Sequence, residues 1–174
     1  MFTLLTGGAR SGKSRTALRL ADAAGAPVTF IATATAGDDE MAARIRRHQA
    51  ERPDGWLTLE EPVSLDRALA SVDDETTVVI DCLALWVTNQ LDDDDREICS
   101  RADELAAMIA GRSGTSIVVT NEVGFGIVPT NELARRFRDL LGSVNQRVGA
   151  RADRTLLCVA GGVVPVHALD ALDD

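Results

Sequence analysis

Aromatic residues are scarce in this chain of 174 residues: they make up 3% of it, and tyrosine is absent. Proteins that hold single-stranded nucleic acid stack the bases on aromatic side chains, so the composition argues against that function. Positive charge is also in short supply, because 18 Lys and Arg stand against 27 Asp and Glu, a net charge of −9. A general affinity for nucleic acid or for an anionic membrane is therefore not expected. Any anionic ligand needs a local cluster of donors.

The chain also lacks a cysteine framework and a long hydrophobic run. Cys82, Cys99 and Cys158 are an odd number without a C-x-x-C spacing, so neither a disulfide scaffold nor a zinc site is indicated. Reduced thiols in a cytoplasmic protein are the simplest interpretation. No apolar stretch reaches the length of a membrane span, and the N-terminus has no signal-peptide pattern. The length and composition predict one domain over residues 1–174.

The first fourteen residues carry the clearest motif. An apolar run at residues 2–5 predicts a buried strand, and a helix is predicted at residues 14–24. Between them the sequence fits G-x-x-x-x-G-K-[ST], whose fixed positions are Gly7, Gly12, Lys13 and Ser14. Backbone N–H groups and the helix N-terminus of such a loop cradle phosphates, Lys13 would reach the β- and γ-phosphates, and Ser14 would bind Mg²⁺. The chain is predicted to bind a nucleoside triphosphate.

Short apolar runs alternate with helical patterns along the rest of the chain. Strands are predicted at residues 28–32, 56–59, 76–81, 115–120 and 155–160. Helices are predicted at residues 39–50, 65–71 (capped by Ser64), 83–91, 96–110 and 131–148. The four aspartates at residues 92–95 form a solvated turn in this interpretation, the point where disorder or insertion is expected. The alternation predicts an α/β fold with a mostly parallel sheet covered on both faces.

The last two of these helices have apolar stripes that should face the core. On the helix from residue 96 the stripe consists of Ile98, Leu105, Met108 and Ile109. On the helix that Thr130 is predicted to cap, the stripe consists of Leu133, Phe137, Leu140, Leu141, Val144 and Val148. The opposite face of that helix holds Arg135, Arg138, Asp139, Asn145 and Gln146. Periodicity alone favours a solvated charged face and a substrate surface about equally.

Ligands of a parallel sheet collect at the carboxyl ends of its strands, so the loops after Ile31, Ile80 and Val119 should converge near the glycine-rich loop. Asp81 ends a buried strand at this edge, where a carboxylate is the expected second partner of Mg²⁺. The alternative role for Asp81 is an N-cap of the following helix. Asn121 leaves the next strand with Glu122, whose carboxylate could act as a base or bind a substrate hydroxyl.

His48 shares one helix face with Met41, Arg44 and Ile45, at i, i+3, i+4 and i+7. It is either a structural residue at an amphipathic boundary or a nucleophile that attacks phosphorus and forms a phosphoramidate. In the second case the arginines around it, Arg44, Arg47 and Arg52, would neutralise phosphate charge. Spacing alone leaves both interpretations open. The other histidine, His167, is given no role.

Taken together, these segments resemble the bifunctional adenosylcobinamide kinase / adenosylcobinamide-phosphate guanylyltransferase family of cobalamin biosynthesis. The stretches that carry the resemblance are residues 6–14 (TGGARSGKS), 38–48 (DDEMAARIRRH), 86–89 (WVTN), 120–129 (TNEVGFGIVP) and 133–139 (LARRFRD), with Asn145 and Gln146. The resemblance implies a RecA-like phosphate-loop α/β domain and a homotrimer. It implies phosphorylation of adenosylcobinamide by ATP or GTP with Mg²⁺, followed by transfer of GMP from GTP to that phosphate.

The resemblance also implies site residues. The guanylylated histidine maps onto His48. The nucleotide contacts map onto Gly7, Gly8, Ala9, Arg10, Ser11, Gly12, Lys13 and Ser14, onto Thr33, Ala34 and Thr35, onto Gln49, Ala50, Glu51 and Arg52, and onto Glu60 and Asp81. Asn121, Glu122, Arg135 and Arg138 are the candidates for binding the corrinoid substrate. The competing functions are a single-function small-molecule kinase and a nucleotide-switch ATPase or GTPase, although the N-K-x-D motif of GTPases is missing from the sequence.

Overall fold

The structure, a computed structural model, describes residues 1–25 and 27–167. The strands within them are β1 (Phe2–Gly7), β2 (Val28–Ala32), β3 (Leu57–Glu60), β4 (Thr77–Asp81), β5 (Ser116–Val119), β6 (Arg154–Val159) and β7 (Gly162–Val166). The helices are α1 (Lys13–Ala23), α2 (Asp39–Ala50), α3 (Leu65–Ala70), α4 (Leu83–Thr88), α5 (Asp95–Ala110) and α6 (Glu132–Gly149). The predicted alternation of strands and helices is confirmed, with boundaries that differ by a few residues at most. Within the described residues, no helix is long and apolar enough to span a membrane.

The strands form one sheet in the order β3-β2-β4-β5-β1-β6-β7. Neighbouring strands are parallel except for the antiparallel pair β6 and β7. Four consecutive residues of β1, Phe2 to Leu5, are buried. Because successive side chains of a strand point to opposite faces, both faces of the sheet are covered at its centre. The predicted α/β domain with a mostly parallel sheet is confirmed.

Two predicted core residues are exposed. Met108 on α5 is 37% exposed and Leu133 on α6 is 55% exposed, whereas Leu141 and Val144 are fully buried. Met108 lies at the edge of its stripe, and Leu133 lies in the first turn of α6, whose buried residues begin at Leu140. The cap of α6 is also one residue later than predicted, because the Asn131 side chain accepts a hydrogen bond from the Ala134 amide at 3.0 Å.

The acidic turn at residues 92–95 is not a point of disorder. Arg101 on α5 donates to Asp93 at 2.6 Å, and Arg136 on α6 pairs with Asp95 at 2.7 Å. Arg136 also donates to the Leu91 and Asp93 carbonyls. The sequence expectation was wrong because the compensating arginines lie elsewhere in the chain, on helices that only the tertiary fold brings to the turn.

The edge strand β7 was missed by the sequence reasoning. Ala160 and Gly161 connect it to β6, and both have positive φ, 50° and 80°, as a two-residue hairpin turn requires. Pro165 is compatible with this position because an edge strand need not use every amide. The Gly161-Gly162 pair is a turn signal that could have indicated a hairpin. The valines that follow are exposed, so they do not alternate between buried and exposed positions as in a half-buried strand. His167 follows β7 and lies outside the cleft described next.

Candidate active site

A cleft of about 730 Å³ opens at the carboxyl edge of the sheet. The phosphate-binding loop (residues 7–14) contributes Ala9, Arg10, Ser11, Gly12, Lys13 and Ser14 to its lining. Helix α2 contributes Glu40, Met41, Ala43, Arg44, Ile45, Arg47, His48 and Gln49. Residues at or just after strand ends contribute Ala32, Ala34, Glu60, Asp81, Val119 and Asn121. The predicted convergence of the loops that follow β2, β4 and β5 is confirmed.

The backbone of the phosphate-binding loop depends on its glycines. Gly7 has φ 146° and Gly12 has φ 104°, in a region that residues with a Cβ rarely adopt. A Cβ at Gly7 would lie 2.3 Å from the carbonyl oxygen of Cys158, the β6 residue paired with it. Gly7 therefore lets β1 approach β6 closely and then turn into the loop.

Replacing Gly7 by alanine is expected to destabilise the fold and to abolish nucleotide binding, because the new Cβ meets a backbone carbonyl that cannot move aside. Strain of this kind costs about 1–3 kcal/mol. Gly8→Ala is the matched control for stability, since nothing lies within 4 Å of a Cβ there. Thermal unfolding of both variants measures the difference. A Gly7→Ala protein as stable as Gly8→Ala would contradict the close approach.

Lys13 is held inside the loop that it belongs to. Its ammonium donates to the carbonyls of Gly7 at 2.7 Å and Gly8 at 2.6 Å, and the residue is 8% exposed. Burial lowers the pKa of Lys13, while Asp81 is among the negative groups that oppose this shift. The loop thus surrounds the Lys13 ammonium. The backbone amide groups of the loop and the N-terminus of α1 favour an anion at the same place.

Ser14 and Asp81 face each other across the floor of the cleft. The Ser14 hydroxyl donates to Asp81 Oδ2 at 3.4 Å. Burial raises the pKa of Asp81, and this shift is opposed first by His48, then by the Ser14 hydrogen bond and by Arg52 and Lys13. The N-cap of α4 is Cys82, so the capping role left open for Asp81 is excluded.

The Ser14 and Asp81 oxygens fit a magnesium ion. Mg²⁺ prefers hard oxygen ligands, commonly one or two protein groups completed by phosphate and water oxygens. In the residues that the structure describes, no three His, Cys, Asp or Glu side chains cluster as a metal site of their own. This pair could therefore hold the ion only together with a phosphate ligand.

Asp81→Asn is expected to raise the stability of the ligand-free protein at neutral pH. A carboxyl whose pKa is raised by burial binds its proton more tightly in the folded state, so its ionisation costs stability as the pH rises above the unfolded value. The difference in melting temperature between the variant and the wild type should grow between acidic and neutral pH. Nucleotide-dependent activity should fall in the same variant. A less stable Asn variant at neutral pH would contradict this assignment.

His48 faces the cleft. The helix that carries it starts at Asp38, whose side chain caps it by accepting from the Met41 amide at 2.7 Å. All twelve residues of α2 are described, and none of them is buried. The face with Met41, Arg44, Ile45 and His48 lines the cleft instead of packing on the core. His48 Nδ1 lies 3.9 Å from Glu51 Oε2, and its side chain is 31% exposed.

A second group of residues that line the cleft surrounds Arg52. The Arg52 guanidinium lies over the Phe30 ring, 3.8 Å from its centroid, and donates to Thr58 at 2.9 Å. Burial lowers the pKa of Arg52, opposed by Asp81 and Glu60. Gln49 donates to the exposed Glu60 carboxylate at 3.2 Å. Phe30 was missed in the sequence because a phenylalanine in a buried strand is ordinarily a core residue.

Thr33 was expected to contact nucleotide, but it is fully buried and lies behind the cleft wall. Its hydroxyl donates to the Cys82 carbonyl and accepts from the Cys82 amide, both at 2.8 Å. Its own amide donates to the Asp81 carbonyl at 3.1 Å. Thr33 therefore supports the strand end that carries Asp81.

Other candidate residues lie outside the lining. Glu122 accepts from the Gly124 amide at 2.6 Å, Arg135 donates to the Thr130 carbonyl, and Arg138 pairs with its neighbour Asp139. Also outside the lining, among the described residues, are Gly7, Gly8, Thr35, Ala50 and Glu51. Of the four residues expected to bind the corrinoid substrate, Asn121 lines the cleft. Glu40 and Ile45 line it too, from the stretch at residues 38–48, and so does Leu85, which no sequence motif singles out.

The comparisons with known proteins agree with these features. The family described as cobinamide kinase / cobinamide phosphate guanyltransferase matches residues 3–166. The chain is 44% identical to the bifunctional adenosylcobalamin biosynthesis protein CobP of Pseudomonas aeruginosa, over 95% of this chain and 97% of that protein. It is 45% identical to the bifunctional adenosylcobalamin biosynthesis protein CobU of Salmonella typhimurium, over 92% of this chain and 97% of that protein.

The fold is similar to that of a solved recombinase. The RadB recombinase matches with a TM-score of 0.51 and 17% identity, over 89% of this chain and 72% of that chain. At this identity the likeness concerns the fold alone, and it agrees with the expected RecA-like arrangement of a phosphate-loop domain.

Proposed function

Since this chain belongs to the cobinamide kinase / cobinamide phosphate guanyltransferase family, we propose that it phosphorylates adenosylcobinamide with ATP or GTP and then transfers GMP from GTP to the product, giving adenosylcobinamide-GDP. The observation that carries the proposal is that the phosphate-binding loop and His48 line the same cleft. One bound triphosphate can thus meet both the groups that hold its phosphates and a nucleophile.

The kinase reaction needs positioning and charge neutralisation more than covalent chemistry. Lys13 would leave the Gly7 and Gly8 carbonyls to bind the β- and γ-phosphates. Ser14 and Asp81 would hold Mg²⁺, which neutralises phosphate charge when bound. The oxygen of the substrate hydroxyl bonds to the γ-phosphorus, the bond from that phosphorus to the β-phosphate oxygen breaks, and the hydroxyl proton passes to solvent. Arg44 and Arg47 are among the further cations that the cleft offers to the phosphates.

Guanylyl transfer joins two anions, and a covalent intermediate divides that problem into two steps. A nitrogen of neutral His48 bonds to the α-phosphorus of GTP, and pyrophosphate leaves. A phosphate oxygen of adenosylcobinamide phosphate then bonds to the same phosphorus, the P–N bond breaks, and the imidazole is restored. Glu51 lies on the Nδ1 side of the ring, which leaves Nε2 as the nitrogen proposed to attack.

Glu60 is proposed to select guanine. Its carboxylate is exposed in the cleft, where it accepts from Gln49. Guanine presents two adjacent N–H donors, N1–H and the N2 amino group, that a carboxylate can accept together, whereas adenine has neither donor at these positions. The Arg52 and Phe30 pair beside it adds a flat cationic surface for a base.

Glu60→Gln is expected to weaken GTP binding by about 10- to 100-fold, because losing a charged acceptor of two hydrogen bonds costs roughly 1.5–3 kcal/mol. ATP affinity should be unchanged. Asp66→Asn, which removes an exposed carboxylate on α3, is the control and should alter neither. Equilibrium titration with both nucleotides gives the comparison. Equal losses for GTP and ATP would show that Glu60 does not read the base.

We also propose a cytoplasmic homotrimer. The thiols of Cys82, Cys99 and Cys158 are free, which suits a reducing compartment. Exposed apolar side chains are present on the loop after β5 and on β7, including Phe125 at 84%, Ile127 at 97% and Val166 at 49%. Such surfaces are typical of contacts between subunits. Light scattering with size exclusion measures the mass, and a monomer at micromolar concentration would contradict the trimer.

The proposed function is tested by incubating the protein with adenosylcobinamide, Mg²⁺ and GTP and analysing the corrinoid products by mass spectrometry. The expected products are the phosphate first and the GDP derivative later. Phosphate alone would identify a single-function kinase. Hydrolysis of nucleotide without any corrinoid product would indicate a switch-type ATPase or GTPase.

A further inference from the structure

The Asn89 side chain connects two loops of the cleft without lining the cleft itself, within the part of the chain that the structure describes. Asn89 is the C-cap residue of α4. Its amide nitrogen donates to the Thr33 carbonyl at 2.8 Å and to the Pro62 carbonyl at 3.0 Å. Since a primary amide has two N–H groups, both are used, one on each loop.

The same short helix holds these loops at two further points. Trp86, 1% exposed, donates from its indole to the Val63 carbonyl at 2.7 Å. The Thr33 hydroxyl is bonded to Cys82 at the start of α4. The carbonyl is the remaining polar group of buried Thr33, and it accepts from Asn89. Losing this donor leaves a buried acceptor unpaired, which is more costly than losing a bond at the surface.

The two loops adjoin two groups of functional residues in the cleft. The loop after β2 presents Ala34 to the cleft and leads directly into α2, which carries His48. The loop after β3 follows Glu60, the last residue of that strand and the residue proposed to bind guanine. Because α2 has no buried residue to fix it on the core, its entry point is defined largely by the loop before it. The pairing of β2 with β3 and the Gln49–Glu60 hydrogen bond fix part of the spacing between Glu60 and α2. Beyond the strand ends, the position of the start of α2 depends on what joins these loops.

We propose that Asn89 is a positioning residue for guanine-nucleotide binding: by bridging the Thr33 and Pro62 carbonyls, it helps to set the distance between Glu60 and the start of the helix with His48. The proposal rests on the proposed function, and it adds a residue that touches neither nucleotide nor corrinoid. Asn89 acts through the two loops, so its substitution should affect nucleotide affinity and guanylylation more than phosphoryl transfer at saturating nucleotide.

The test uses three substitutions that separate hydrogen bonding from space filling. Asn89→Asp keeps the shape but places a carboxylate against two carbonyls, Asn89→Ala removes the donors, and Asn89→Gln keeps both donors on a longer stem. The dissociation constant of GTP should rise about 10-fold in the Ala variant and further in the Asp variant, with partial recovery in the Gln variant. The kcat of cobinamide phosphorylation at saturating nucleotide should stay within about twofold of the wild type. Thr88→Ala is the control, because the Thr88 hydroxyl donates to Ala84 within α4 and reaches neither loop.

The order of GTP affinity among the three variants tests the proposal. An Asp variant that binds GTP better than the Ala variant would show that Asn89 merely fills space, and it would overturn the proposal. So would a fall in melting temperature with unchanged GTP affinity in all three variants. If the Asp variant does not fold, a Gln variant that binds GTP no better than the Ala variant overturns it equally. Wild-type protein that does not bind GTP would instead overturn the proposed function, and this assignment with it.

Discussion

Replacing His48 by asparagine is expected to abolish formation of the GDP derivative while phosphorylation of adenosylcobinamide continues. Without the imidazole no P–N bond can form, so guanylyl transfer should fall by on the order of 10³-fold or more. The kinase groups, Lys13, Ser14 and Asp81, lie on α1, its preceding loop and β4, and the substitution leaves them in place. Separate assays of phosphate and GDP products measure the two activities.

The folded state should tolerate this substitution. His48 is 31% exposed on a helix that buries none of its described residues, so the free energy of unfolding should change by no more than about 0.5 kcal/mol. His167→Asn is the matched control, because it removes the other histidine from a position outside the cleft, and both activities should persist. Guanylylation that survives His48→Asn would show that another group is the nucleophile.

Lys13→Ala should suppress both reactions. The ammonium lies inside the phosphate-binding loop, 2.7 Å from the Gly7 carbonyl, and no other described lysine or arginine donates to that carbonyl. Loss of a preorganised cation aimed at developing phosphate charge typically costs about 10²–10³ in kcat. Guanylylation should decrease too, because the same loop is proposed to hold the triphosphate that His48 attacks.

The control for Lys13→Ala is Arg19→Ala, which removes one positive charge from an exposed position on the same helix. It should change neither kcat nor nucleotide affinity measurably. Initial rates at saturating ATP, and separately at saturating GTP, give the comparison. Undiminished phosphorylation by the Lys13 variant would contradict the assignment of residues 7–14 as the phosphate-binding loop.

Most of the fold could be predicted because local patterns and tertiary packing favour the same structure. The runs that became β1, β2 and β4 are mostly apolar or β-branched and are buried along most of their length, as expected of strands covered on both faces. The positive φ angles of the loop glycines and the capping by Asp38 are local effects, which act within a few residues of their own position. Convergence of strand ends follows from parallel topology alone, and it correctly placed Asp81 and Asn121 at one cleft.

The features that sequence reasoning missed depend on partners far away in the chain. Arg101 and Arg136 order the acidic turn at residues 92–95 from two helices, and no spacing rule connects them to it. Thr33 matched a nucleotide-contact position, but hydrogen bonds to the residues around Asp81 turn it inward. Asn89 lies in residues 86–89, one of the stretches that carry the family resemblance, but the sequence alone assigns it no role. The two carbonyls that it joins lie 27 and 56 positions away in the chain.

The central claim is that the His48 imidazole reaches the innermost phosphorus of a bound GTP. Intact-protein mass after incubation with GTP and Mg²⁺, in the absence of corrinoid, tests it most directly. We predict a gain of one GMP per chain that is lost in acid, survives base and localises to the peptide containing His48. An unchanged mass in protein shown to bind GTP, or an adduct on another residue, would contradict the account.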